Sequence, residues 1–108
     1  MSFNRHLGLE LSPDGEVRLH TRPEHEVAPD TIHFAVLTTM AEVSAAHAVG
    51  AAVVPTQIDI QLMRRATPNE LTARETVLKR GRRLAFAEDE VHQNERLIAK
   101  ASVTFALV

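Results

Sequence analysis

Residues 32–50, IHFAVLTTMAEVSAAHAVG, constrain the fold of this chain more than any other stretch. They are apolar almost all the way round and meet no helix breaker before Gly50, so the spacing predicts a helix buried over most of its surface, with Gly50 as its C-cap. Asp30 or Thr31 is the expected N-cap, since each offers a side-chain oxygen to the first free amides. One acid, Glu42, sits in the middle. A carboxylate there is costly unless something uses or satisfies it, and burial predicts that it titrates above its ordinary value of about 4.3.

Around this helix the hydrophobic period is two. Leu7–Leu11 and Val17–Thr21 alternate on either side of Ser-Pro-Asp-Gly at 12–15, which predicts a hairpin with one buried face. Residues 22–31 carry two prolines and no periodicity and are expected to form the loop that enters the helix. After Gly50, Ile58, Ile60 and Leu62 share one face opposite Gln57, Asp59 and Gln61. Residues 66–69 read as a turn, 70–80 as a long strand ended or bulged by Gly81, and 84–89 as a strand in which Leu84, Phe86 and Glu88 alternate with Ala85, Ala87 and Asp89. Gln93-Asn94-Glu95 is a hairpin turn, and from Arg96 onward Leu97, Ala99, Ala101, Val103, Phe105 and Leu107 fall on one side. Two strands, one long helix and four strands, each strand with one apolar face, are satisfied by an antiparallel sheet wrapped around the helix, an α+β arrangement.

Length and composition set the limits. At 108 residues the chain is expected to be a single domain spanning 1–108. The net charge of −2, and aromatic residues that are all Phe, argue against a nucleic-acid surface. No apolar run long enough to span a membrane is free of charge, and the first residues lack the basic and apolar segments of a secretory leader, so a cytoplasmic protein is expected. The absence of Cys excludes disulfides and thiol nucleophiles. The six His show no ligand spacing such as H-E-x-x-H, and no metal is expected.

The pair His33 and Glu42, nine residues apart, together with the strand text IDIQLMRRATPNELTARETVLKRGRRLAFAEDEV and RLIAKASVTFAL, resembles the hotdog-fold acyl-CoA thioesterases of the PaaI-like and 4-hydroxybenzoyl-CoA thioesterase-like kind. The resemblance implies a hotdog fold and a homo-oligomer, dimer or tetramer, with sites at subunit interfaces. It also implies a CoA thioester as substrate and no cofactor. In that family a His-Gly-Gly loop opens the central helix and an acid nine residues after the His is the catalytic carboxylate. Those positions here are His33, Phe34, Ala35 and Glu42. The family's Gly three residues before the His is Asp30, its Asn or Gln about six before is Val27, and a Ser or Thr four residues after the acid is Ala46.

On one helix His33 and Glu42 are separated by half a turn and roughly 13 Å, so both reach one substrate atom only if the helix N-terminus of one subunit meets Glu42 of another. The expected chemistry places the amides of Phe34 and Ala35 against the thioester oxygen, with Glu42 as general base or nucleophile. Thr38, Thr39, Arg64 and Arg82 are the remaining expected substrate contacts, the arginines because a guanidinium fork suits the phosphates of CoA. Competing accounts are a structural Glu42 paired with an Arg or with Thr38 or Thr39, and basic residues that merely solvate strand ends. The rival function is a non-catalytic hotdog domain that binds acyl-CoA or acts only in assembly, which the Phe34-Ala35 replacement favours.

Overall fold

A computed structural model describes residues 2–108. The elements are α1 (Phe3–Leu7), β1 (Glu10–Leu11), β2 (Val17–His20), a 3-10 turn (Pro23–His25), β3 (Glu26–Ala28), β4 (Thr31–Ile32), α2 (Phe34–Val49), β5 (Val53–Leu62), β6 (Glu70–Arg80), β7 (Leu84–Gln93) and β8 (Arg96–Leu107). Six strands form an antiparallel sheet in the order β1-β2-β6-β7-β8-β5, while β3 and β4 pair by themselves. The expected α+β architecture, a sheet curled on one long helix, is the one observed. No helix among the described residues is long and apolar enough to cross a membrane.

The helix core arises from two complementary surfaces. From α2 come Val36, Leu37, Met40, Ala41, Ser44, Ala45 and Val49. From the sheet come Ala73, Ala85, Ala87, Ala99 and Ala101, whose short side chains let the helix lie close, with Leu19, Leu71, Val91 and Phe105 filling the margins. Burying a side chain such as Met40 or Phe105 contributes about 1.5–3 kcal/mol each.

Three sequence expectations are corrected. The first strand does not begin at Leu7: Ser2 caps the Arg5 amide to start α1, and Gly8, at φ 92°, ends it, leaving only Glu10–Leu11 to pair with Val17 and Arg18. The loop at 22–31 contains a 3-10 turn and the β3–β4 hairpin, turned at Asp30 with φ 60°. Because the chain stays extended through Ile32, neither Asp30 nor Thr31 caps α2. His33 does, accepting the Ala35 N–H on Nδ1 at 2.9 Å. Its own N–H is held by the carbonyl of His25 at 2.9 Å. Buried His25 accepts the Arg22 N–H on Nδ1 and reaches the Leu7 carbonyl with Nε2, so its imidazole joins α1 to the loop while its backbone carbonyl holds the start of α2.

A fourth expectation holds only on one side. The sheet covers one face of α2, and Phe34, Ala35, Thr38, Thr39, Glu42, Val43 and Ala46 form a stripe that it leaves partly or fully open. The helix is apolar on both sides, but a single sheet has only one surface to offer it.

Candidate functional site

At an α-helix N-terminus the first amides have no intrahelical acceptor and carry the positive end of the helix dipole. At the start of α2 one of them is taken by the His33 ring, and the Val36 N–H bonds the His33 carbonyl at 3.0 Å. The Phe34 N–H makes no hydrogen bond among the described residues. Of the two amides expected to face a thioester oxygen, Phe34 therefore offers a free donor, and Ala35 offers one only when the imidazole turns away.

The Phe34 ring stacks on His33 with centroids 4.6 Å apart and is 55% exposed. It is a wall rather than core. With Val27, Ile32, Leu37, Leu62 and Met63 it lines an apolar groove of about 390 Å3 whose rim carries Arg64 and Arg65. The same two arginines border a second cleft of about 610 Å3, lined also by Thr67, Gln93, Asn94 and Arg96. Thus an apolar groove beside the start of α2 shares two guanidinium groups with a basic cleft. Arg96 was not expected; it lies at the start of β8 just beyond the Asn94-Glu95 turn, where both residues take positive φ.

Glu42 lies half-buried on the open stripe of α2, about 12 Å along the helix from Phe34 at 1.5 Å per residue. Among the described residues its carboxyl makes no hydrogen bond or ion pair, and burial raises its pKa, the direction expected from the sequence. The structural account in which Thr38 or Thr39 satisfies it does not describe this chain, because their hydroxyls donate to the Phe34 and Ala35 carbonyls at 2.9 and 2.8 Å. Arg82 is in the turn after β6, at the end of the sheet where Arg80 Nη1 binds the Val49 carbonyl at 2.7 Å and so finishes α2. One chain therefore brings Phe34 and Arg64 together and leaves Glu42 and Arg82 progressively farther down the helix.

Sequence reading passed over Asp89. Its side chain is wholly buried, and neither oxygen has a hydrogen-bond partner among the described residues. The signal was present in the alternation: Asp89 is in phase with Ala85 and Ala87, on the face that the helix covers.

Six antiparallel strands curled on one long helix, with a groove at the helix N-terminus, define the hotdog class. The sequence profile of the acyl-CoA thioesterase N-terminal domain family matches residues 21–106, and the chain belongs to that family, within the hotdog-fold acyl-CoA thioesterase superfamily. No curated protein matches it in sequence. Among solved structures it is similar to a conserved protein of Pseudomonas aeruginosa, with 27% identity and a TM-score of 0.84 over 100% of this chain and 94% of the other. A thioesterase of Haemophilus influenzae shares 23% identity, with a TM-score of 0.89 over 99% and 82% of the two chains. A Bacillus halodurans protein whose structure contains CoA shares 18%, with a TM-score of 0.87 over 97% and 74%. At the last two identities the likeness speaks for the fold alone.

Proposed function

We propose that this thioesterase-superfamily protein hydrolyses an acyl-CoA at a site shared between two subunits, built from the start of α2 in one and Glu42 in the other. The observation that carries the reading is the unbonded amide of Phe34, a residue that lines an apolar groove sharing Arg64 and Arg65 with a basic cleft. That sequence of surfaces suits a thioester carbonyl, the pantetheine arm and the phosphates of CoA in turn, with guanidinium groups matched to phosphate oxygens.

The thioester oxygen accepts from the Phe34 N–H, and from Ala35 once His33 releases it, which stabilises the charge that develops as the carbonyl carbon becomes tetrahedral. Glu42 of the neighbouring subunit takes a proton from water as the water oxygen bonds to that carbon, or attacks the carbon itself to give a mixed anhydride that water then cleaves, freeing the acid and supplying the proton. The C–S bond then breaks and the thiolate leaves as CoA thiol with the proton. Thr38 and Thr39 stand between the two groups on the open stripe, beside the acyl portion. Arg82, at the far end of α2, serves the neighbouring subunit's site. The pairing of subunits is supported by the uncovered side of α2 and by Ile58 and Leu62, which turn toward the helix side of the sheet yet stay exposed. The assembly is a dimer or a tetramer of such dimers.

A second reading, a hotdog domain that binds acyl-CoA without cleaving it, is favoured by the capped Ala35 amide and the phenyl ring over the groove. Hydrolysis assays over short, long and aromatic acyl-CoAs separate the two. Turnover that Glu42→Gln lowers at least a hundredfold, with the fold intact by circular dichroism, is the expected result. Binding across the panel with no hydrolysis would establish the second reading.

A further inference from the structure

We propose that Asp89 is a proton-operated latch, which docks α2 on the sheet while its carboxyl is protonated and loosens the helix when the carboxyl ionises. The case begins with placement. Asp89 lies on β7 directly across from Glu75 on β6 and Ala101 on β8, under the turn of α2 that carries Ser44. Its side chain is 0% exposed, Ser44 is 1% exposed, and neither the carboxyl oxygens nor the Ser44 hydroxyl completes a hydrogen bond among the described residues. An ionised carboxylate so enclosed needs a cation or several donors, and a neutral acid needs far less.

No cation faces it. Every side chain that α2 turns to the sheet is uncharged. From β8, Ala101 stands opposite, and Lys100, one residue away and so on the other face, lies 3.9 Å from Glu88. Glu88 and Glu90 on β7 alternate outward, Glu90 meeting His92 at 2.9 Å. Arg80 on β6 is engaged by the Val49 carbonyl. Arg80 apart, the ionisable group that strand pairing sets on the same face, directly opposite Asp89, is another acid, Glu75. Burial, reinforced by the charges of Glu75 and Glu90 and partly offset by the nearby Ser44 hydroxyl and the Arg74 backbone, pushes the Asp89 pKa up to about 7.

The surroundings also give the proton a route. Pairing of β2 with β6 stops at Ala73, and a bulge between Glu75 and Val77 displaces β6 just beyond it, so half-buried Glu75 lies where β6 has lost one neighbour. β-bulges of this kind re-aim side chains and loosen a ladder locally.

The sign of the effect is fixed. The folded chain holds the Asp89 proton up to about pH 7, whereas an exposed Asp releases it near pH 3.9, so the contribution is complete below about pH 4 and lost as pH rises to 7. The difference corresponds to about a thousandfold in the equilibrium between docked and loosened helix.

Carbon-detected NMR titration of the Asp89 carboxyl and hydrogen exchange of α2 amides from pH 5 to 8, corrected for intrinsic rates, test this without reference to catalysis. The expected result is a carboxyl midpoint near 7 and exchange around Ser44 that rises at least tenfold over that range in the natural chain. In Asp89→Asn the rise should be absent. Glu75→Gln, which alters a half-buried position and is the variant to rely on if Asp89→Asn does not fold, should move the midpoint to lower pH. A carboxyl that titrates below pH 5, or α2 protection with the same pH profile in the natural chain and in Glu75→Gln, would overturn the proposal.

Discussion

At the scale of single residues, Phe34 joins two roles that can be separated by substitution. Its N–H is the free donor and its ring is a groove wall. Proline is well accepted at the first position of a helix, where its fixed φ is already helical and its missing N–H breaks no intrahelical bond. The residue before it must then be extended, and His33, at φ −63° and ψ 138°, already is. Phe34→Pro thus deletes the donor, and Phe34→Ala deletes only the ring. Since losing one such donor costs about 2.7–4 kcal/mol, turnover by Phe34→Pro should fall roughly a hundredfold or more below that of Phe34→Ala. Equal rates for the two would remove the Phe34 amide from the reaction. Stability should change little in either, because a ring more than half exposed forfeits well under the 3–5 kcal/mol typical of a buried Phe.

At the scale of elements, α2 is held at its two ends by different chemistry. Gly50 takes φ 71° and returns its N–H to the Ala46 carbonyl, while Arg80 reaches across from β6 to the carbonyl of Val49. Left-handed backbone costs a side chain roughly 1–2 kcal/mol. Gly50→Ala should therefore lower the thermal midpoint by several degrees, about 4–8 °C for each kcal/mol in a domain of this size. An unchanged midpoint would show that the helix end relaxes freely. This C-terminus was legible because a glycine after an unbroken apolar run has one common meaning. The N-terminus was not: Asp30 and Thr31 carry the usual capping groups, but pairing of β4 with β3 keeps the backbone extended past them, and the cap falls to a histidine, a rarer choice. In the same way the limits 70–80 of β6 follow from the turn at 66–69 before it and Gly81 after it, whereas the five residues of α1 are too few to show a helical period. In β7 the alternation sets Asp89 in phase with Ala85 and Ala87, but each phase holds one acid, Glu88 or Asp89, so the pattern alone does not say which of the two the helix covers.

At the scale of the whole molecule, the open side of α2 and the exposed helix-side residues of β5 form one uncovered surface, and the two groups with catalytic potential lie about 12 Å apart on a rigid helix. A two-fold pairing through this surface is isologous: each subunit gives its helix N-terminus to one site and its Glu42 to the other. Sedimentation at micromolar concentration should show a dimer or larger species, and a stable monomer would remove the shared site. Complementation gives the sharper discrimination. Phe34→Pro and Glu42→Gln should each be nearly inactive alone. When the two chains are unfolded together and refolded as an equal mixture, half of the dimers pair unlike subunits, and in each of these one site carries both defects and the other carries neither. The mixture should then regain about a quarter of the natural activity per chain. Recovery that depends on co-refolding, and is absent when folded dimers are simply mixed for a short time, would show that the intact site is assembled from two chains. If the co-refolded mixture stays as inactive as its parents while acyl-CoA still binds, the amide and the carboxylate do not meet across an interface, and the shared site is removed.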